Sequence, residues 1–271
     1  MIICIGNGES RKDFDLNKLN GHNTIGCNAL YRDYTPKILV AMDYKLCHEI
    51  YRSGYAFKNK VYLKEWDKIK HTSYDRLFVK EHYKQFIGDV ENLDGLVDEF
   101  SWPNTKKRFF VCWANNRDLM RKMREERKDW NEDDFKLYLS EDQEGYLITW
   151  TKKKDKVMGL GKYKNEKTNA GILIAMMAAE KDKRIYLIGY DYYSKEQTVN
   201  NLYKGTKGYV GTNAKAINPM NWINHTKRLL NRYEEHEFIH VGEEIEDMKD
   251  RKNWTTISYE ELNGRIKNRN L

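Results

Sequence analysis

The sequence is poor in residues that break a chain into pieces. Three prolines occur in 271 residues, and no run rich in Gly, Ser or Pro separates one stretch from the next, which excludes a flexible linker between independent domains. No apolar run approaches the ~20 residues that a membrane-spanning helix needs. Met1 leads straight into a short β-branched run, leaving no space for a signal peptide. The four cysteines, Cys4, Cys27, Cys47 and Cys112, lack Cys-x-x-Cys spacing, and two lie in or beside apolar runs. They read as buried reduced thiols, not as disulfide partners or zinc ligands. These absences predict a cytoplasmic protein with no membrane partner and no bound metal.

What remains is a continuous chain long enough to bury one large core, so a single domain over 1–271 is expected. Lys and Arg number 48 against 41 Asp and Glu, giving 48 − 41 = +7. That excess suits a polyanionic partner, although with charged residues at 33% of the chain a solvated surface rich in both signs explains it equally well.

Ile2 to Ile5 is a β-branched run that stops at Gly6-Asn7-Gly8-Glu9-Ser10, followed by an amphipathic or loop stretch from Lys12 to Leu19. The runs Thr24 to Cys27, Ile38 to Met42 and Lys60 to Leu63 read as further strands, the first two ending at Asn28 and Asp43. From His71 to Lys164 the pattern turns irregular, polar and aromatic, with a helical stretch from Arg117 to Lys128, and reads as an insertion at about 71–164. An Ala-rich helix from Asn169 to Lys181 then precedes the strand Arg184 to Gly189, which ends near Asp191. The polar stretch Ser194 to Asn218 is long enough for an ordered lid. Met220 to Tyr233 reads as a helix, Glu237 to Val241 as a strand and Tyr259 to Lys267 as a closing helix. The class is α/β.

Glycines and a small hydroxyl at the end of a first strand let a phosphate or ribose approach without a Cβ in the way. Such a pair is also a common tight turn. Its company adds weight: Asn28, Asp43 and Asp191 stand at other strand ends, and a parallel sheet brings those ends to one edge. Thr168-Asn169-Ala170-Gly171 opens the Ala-rich helix, where Thr168, Asn169 and the backbone at Gly171 either cap the helix or meet an anion.

Taken in order, Gly6-Asn7-Gly8 with Ser10, Cys27-Asn28, Thr168 to Gly171, Ile185 to Asp191 with Tyr192-Tyr193, and Tyr209-Val210-Gly211 resemble the sialyltransferase-like glycosyltransferases, family forty-two. More distantly they resemble proteins related to the archaeal pterin pyrophosphokinases. The resemblance covers about the first fifty residues and again Thr168 to Val241. It implies a Rossmann-like (GT-A-like) parallel sheet with helices on both faces and an inserted helical lid subdomain. It also implies a nucleotide sugar as donor substrate, without a metal or other cofactor. Gly6, Asn7, Gly8, Ser10, Asn28, Thr168, Asn169 and Gly171 would hold that donor, with Tyr193, Tyr209 and Thr212 about its departing phosphate. A phenol donating to a leaving phosphate stabilises developing charge.

The chain departs from the family twice: Thr212 stands where a His closes the Tyr-x-Gly-His motif, and Asp43 stands where an Asn follows the third strand. The base for an inverting transfer then falls to Asp43, Asp191 or His225, with Asp43 preferred. For the acceptor, Lys106, Lys107, Arg108, Arg117, Arg121 and the run Lys152, Lys153, Lys154 are interleaved with aromatic residues, a mixture suited to phosphate contacts and base stacking. An ordinary charged helix has the same composition. The Lys-, Asn- and Tyr-rich composition also resembles that of tailed-phage proteins, among which soluble glycosyltransferases decorate hydroxymethylated DNA bases. The expected acceptor is thus a hydroxymethylated base of double-stranded phage DNA, modified in the host cytoplasm; a glycan is the alternative. Two rivals keep the fold: a pyrophosphokinase-like transferase with Mg²⁺ on Asp43 and Asp191, and a nucleotide- or nucleic-acid-binding module without catalysis.

Overall fold

A computed structural model describes residues 2–64, 66–69, 108–112, 125, 128–129, 148–151, 156–160, 163, 173 and 183–268. In chain order its strands are β1 (Ile2–Ile5), β2 (Asn23–Cys27), β3 (Ile38–Ala41), β4 (Val61–Leu63), β5 (Trp66–Ile69), β6 (Arg108–Cys112), β7 (Ile148–Thr151), β8 (Val157–Met158), β9 (Arg184–Ile188), β10 (Glu237–Val241) and β11 (Trp254–Ile257). Its described helices are α1 (Tyr44–Arg52), α2 (Tyr55–Lys58), α3 (Met220–Arg232) and α4 (Tyr259–Asn268). The chain divides into two compact units, one made of Met1–Met42 with Leu160–Leu271, the other of Asp43–Gly159.

In the first unit the strands run parallel in the order β11-β10-β9-β1-β2-β3. The register sets Ile3 between Thr24 and Tyr186, and Ile5 between Gly26 and Ile188. From β1 the chain steps outward through β2 to β3, then returns to the other side of β1 for β9, β10 and β11. The order reverses between β1 and β9, the place at the carboxyl ends of a parallel sheet where ligand crevices form. All four residues of β1 are buried, as are the last four of β9 and of β10. Both sheet faces are thus covered, which is why these strands read as near-continuous apolar runs rather than alternating ones.

The closing helix α4 shows how local chemistry sets an element. Ser258 accepts from the Glu261 amide at 3.0 Å, Glu260 and Glu261 lie in the first turn, and Arg265 and Lys267 in the last, each matching the helix dipole. Leu262 and Ile266 form its buried face, worth about 1.5–3 kcal/mol each. Arg265 donates to the Tyr186 hydroxyl at 3.3 Å, which ties the helix to β9. No helix among the described residues is long and apolar enough to cross a membrane.

In the second unit β4 pairs with β8 in parallel, Val61 opposite Val157. β5, β6 and β7 form an antiparallel sheet, Trp66 opposite Cys112 and Arg108 opposite Thr151. Among the described residues of the insertion expected at about 71–164, β6, β7 and β8 are strands, and Glu125, within the stretch expected to be helical, is helical. Two differences stand out. Where the sequence predicts an amphipathic or loop stretch after β1, two 3-10 turns occur, Glu9–Arg11 and Leu16–Leu19, the second capped by Asp15. The edge strand β11 is absent from the sequence reading, its Trp254 and Ile257 buried about an exposed Thr255. Of the Ala-rich helix Asn169–Lys181, Leu173 is helical and buried; the rest lies outside the described residues.

Candidate functional site

The loop after β1 runs against the loop after β9. Gly6 donates to the Ile188 carbonyl at 2.8 Å and Gly8 to the Gly189 carbonyl at 3.0 Å. A Cβ on Gly6 would stand 2.4 Å from the Gly189 oxygen, and one on Gly8 would stand 2.5 Å from the Asp191 carboxylate. Close approach of the two backbones therefore requires glycine at position 6, while at position 8 a Cβ would displace the Asp191 side chain. The following amides are also taken: Glu9 donates to Asn200 Oδ1 at 2.7 Å and Ser10 to Asp191 Oδ2 at 2.9 Å. The amides of Gly6, Gly8, Glu9 and Ser10 are thus all taken by acceptors of the protein itself. The Ser10 hydroxyl likewise donates to Asp191 and lies 3.2 Å from the Tyr259 hydroxyl, whose proton burial holds more tightly, at about 12.

Beside this loop, at the crevice between β1 and β9, lies a cavity of about 290 Å³, near the lower end of the ~300–1,000 Å³ usual for ligand pockets. Gly6, Asn7 and Gly8 supply one wall; Cys27 and Asn28, after β2, supply another. Gly189 to Tyr192 supply a third, with Met42 after β3 and Trp222 on α3. The stretch 194–218 closes over them through Ser194, Val199, Asn200, Asn201, Ala216 and Ile217. That stretch is held in shape by a bridge between Thr198 and Lys215, with the Val199 amide on Ala214 O at 2.9 Å and the Ala216 amide on Gln197 O at 2.8 Å. It is an ordered cover.

Two features set this cavity apart. Asn28 (φ 51) and Tyr192 (φ 56) are the non-glycine residues of positive φ among the described ones, and both line it. A left-handed conformation costs about 1–2 kcal/mol, less for Asn, and such strain persists where function holds it in place. The second feature is the Asn28 Oδ1 atom, buried with no hydrogen-bond partner. A buried acceptor left unmet costs about 1–3 kcal/mol, a penalty that a ligand donor would remove. Tyr192 is anchored from the other side by its hydroxyl, 2.8 Å from Thr226 Oγ1, and burial raises its pKa.

The other expected site residues fall as follows. Asn7 lines the cavity with its amide nitrogen on Cys27 O at 3.3 Å and Tyr209 Oη at 3.1 Å. Tyr209 supports that wall, and burial raises the pKa of its hydroxyl. Tyr193 is 44% exposed and donates to Asp247 at 2.5 Å, so the neighbouring Tyr192, not Tyr193, enters the cavity. Thr212 is exposed, against Gly205. His225 is buried on α3 and is not among the lining residues. Asp191 is a lining carboxylate; Asp43 opens the second unit, exposed, its carbonyl accepting from the Cys47 amide. Arg108 lies in β6 of the second unit, while Lys106, Lys107, Arg117, Arg121, Lys152, Lys153, Lys154, Thr168, Asn169 and Gly171 lie outside the described residues. Among the described residues no three His, Cys, Asp or Glu side chains gather as a metal-binding group.

Sequence reasoning missed Tyr192 and Trp222 as cavity residues, and Arg11 and Tyr203 as its supports. Arg11 is 4% exposed, donates to Gly6 O at 2.7 Å and reaches the Tyr203 hydroxyl at 3.1 Å. A charged residue directly after the glycine loop was the available signal, but nothing local shows that it is buried. The fold and site define the class: an α/β protein with a partly strained cavity where the strand order of a parallel sheet reverses. No family model, no curated protein and no solved structure matches the chain.

Proposed function

We propose that the first unit is a Rossmann-like nucleotide-sugar glycosyltransferase domain that holds the nucleoside part of its donor in the cavity between β1 and β9. The carrying observation is the pair of left-handed residues, Asn28 and Tyr192, that both line that cavity, with the Asn28 carboxamide oxygen buried and unmet. A parallel sheet binds ligands where its strand order reverses, and a buried acceptor there selects a hydroxyl or amino donor such as a ribose or base supplies.

In the transfer, the acceptor oxygen attacks the anomeric carbon as the bond to the nucleotide phosphate breaks, and the acceptor proton passes to a carboxylate. Asp191 is at the cavity. Its oxygens each accept from Ser10, yet a carboxylate offers about four lone-pair sites, so capacity for a further proton donor remains. Asp43, next in the chain to the cavity residue Met42, is the second candidate. The acceptor we propose is a hydroxymethylated base of double-stranded DNA, supported by the net charge of +7 and the basic, aromatic stretch from Lys106 to Arg121.

The test is mass spectrometry of the purified chain with CMP-, UDP- and GDP-sugars and EDTA, with and without duplex DNA containing 5-hydroxymethylcytosine. A sugar-sized mass gain on the DNA, abolished by Asp43→Ala or Asp191→Asn, is the expected result. Donor hydrolysis with unlabelled DNA removes the acceptor and keeps the transferase. Nucleoside triphosphate turnover that EDTA silences moves the assignment to a pyrophosphokinase-like reaction, and salt-sensitive DNA binding without any turnover to a binding module.

A further inference from the structure

We propose that Tyr203 is a positioning residue that latches the cover 194–218 onto the two loops lining the cavity, so that the cavity keeps its binding shape only while the Tyr203 hydroxyl bridges Arg11 and Asp33.

Tyr203 is 5% exposed, within the cover. Its hydroxyl has one proton, given to Asp33 Oδ2 at 2.6 Å, and its oxygen accepts from the Arg11 guanidinium at 3.1 Å. A buried cation and a carboxylate are thus joined through one phenol, with the guanidinium 5.8 Å from the ring centre as well. Asp33 ends the 3-10 turn Asn28–Arg32, so it belongs to the segment that begins with the strained Asn28. Arg11 ends the turn after the glycine loop and holds Gly6 O at 2.7 Å. Three separate segments meet at one side chain.

Asn7 carries the effect to the cavity wall. Its carbonyl accepts from the Leu202 amide at 2.9 Å, next to Tyr203 in the chain, and its side chain bonds Tyr209, whose ring lies 5.7 Å from that of Tyr203. Without the phenol hydroxyl, Arg11, buried, loses an acceptor where replacement by water is costly, and the exposed Asp33 turns to solvent and no longer ties its segment to the cover. Opening the cover, and freeing Leu202 and Asn7, becomes the cheaper relaxation. Local opening of this kind is read by amide exchange.

The experiment compares hydrogen–deuterium exchange of the free, full-length protein with that of Tyr203→Phe. Peptides spanning 194–218 and 6–12 are expected to exchange about tenfold faster while β10, β11 and α4 keep their rates. Unchanged rates in 194–218, or equal acceleration in β10 and β11, would overturn the latch, the second because it marks general destabilisation. Where Tyr203→Phe does not fold, Asp33→Ala, which removes the acceptor of the phenol proton, takes its place and is expected to give the same regional pattern. In the double variant the Tyr203→Phe effect should shrink, since both changes break one bridge; full additivity would overturn the coupling.

A second arm rests on the nucleotide-donor reading. With any donor that binds, Tyr203→Phe should raise KM about tenfold and change kcat by less than about threefold, whereas a proportional fall in kcat would overturn the positioning role. If no donor binds the unaltered protein, the function proposed above fails, while the exchange experiment still decides the latch.

Discussion

The closest approach in the site gives the sharpest prediction. Gly6→Ala places a Cβ 2.4 Å from the Gly189 carbonyl oxygen and 3.0 Å from its carbon, with Tyr190 Cδ2 at 3.2 Å. The first two are backbone atoms, so no rotamer change relieves the clash; ordinary contact requires the loops after β1 and β9 to part by about 1 Å. That movement strains the bonds from Gly6 to Ile188 and from Gly8 to Gly189. Overpacking costs about 1–3 kcal/mol, and two weakened backbone bonds about 0.5–1.5 kcal/mol each. The expected loss is therefore about 2–6 kcal/mol, which lowers Tm by roughly 4–24 °C in a chain of this size. Thermal unfolding followed by circular dichroism measures it, with Gly264→Ala as the internal contrast. A Cβ on Gly264, inside α4, meets nothing within 4 Å, so that change should stabilise by about 0.5–1 kcal/mol through helix propensity. A Gly6→Ala protein melting within 1 °C, on the order of instrument error, of the parent would refute the reasoning that this glycine is fixed by close approach.

Other outcomes follow from the same geometry. Asn28→Gly removes a buried, unmet carboxamide oxygen and suits φ 51, so Tm should hold or rise by a few degrees while nucleotide affinity falls about tenfold by calorimetry; loss of stability without loss of affinity would count against a ligand role. His240 donates from Nε2 to the Tyr190 carbonyl at 3.0 Å, so its buried, partnerless Nδ1 carries the lone pair. Burial lowers its pKa below the usual 6.5. The unfolded chain then binds a proton that the folded chain refuses, and stability, full above about pH 6.5, declines as pH falls toward the folded value, at up to about 1.4 kcal/mol per pH unit. Urea unfolding at pH 7.5 and 5.5 should show a smaller decline in His240→Gln; an identical one would remove His240 as the cause.

Much of the frame was legible because its signals are local. β-branched runs bounded by Gly or Asn placed β1, β2, β3, β9 and β10, and α4 was legible from Tyr259 onward, its first turn acidic and its last basic. Asn28 and Asp191 were found from their positions after strands, since every strand end of a parallel sheet lies on one edge. β11 escaped because Trp254 to Ile257 is too short to carry a period, and the choice between Tyr192 and Tyr193 because adjacent tyrosines look alike until one φ is positive.

By itself, then, the sequence determined an α/β chain with polar residues gathered at strand ends, since secondary structure and its punctuation depend on neighbours a few residues apart. Tertiary structure decided the strand order, the division at Asp43, and the commitment of the glycine-loop amides to Ile188, Gly189, Asn200 and Asp191. It also decided that Arg11 is buried beneath Tyr203. Each of these joins residues far apart in the chain. Which long-range partner takes a hydrogen-bond donor, or covers a charge, depends on competition among all the surfaces that folding brings together, and no local pattern records it.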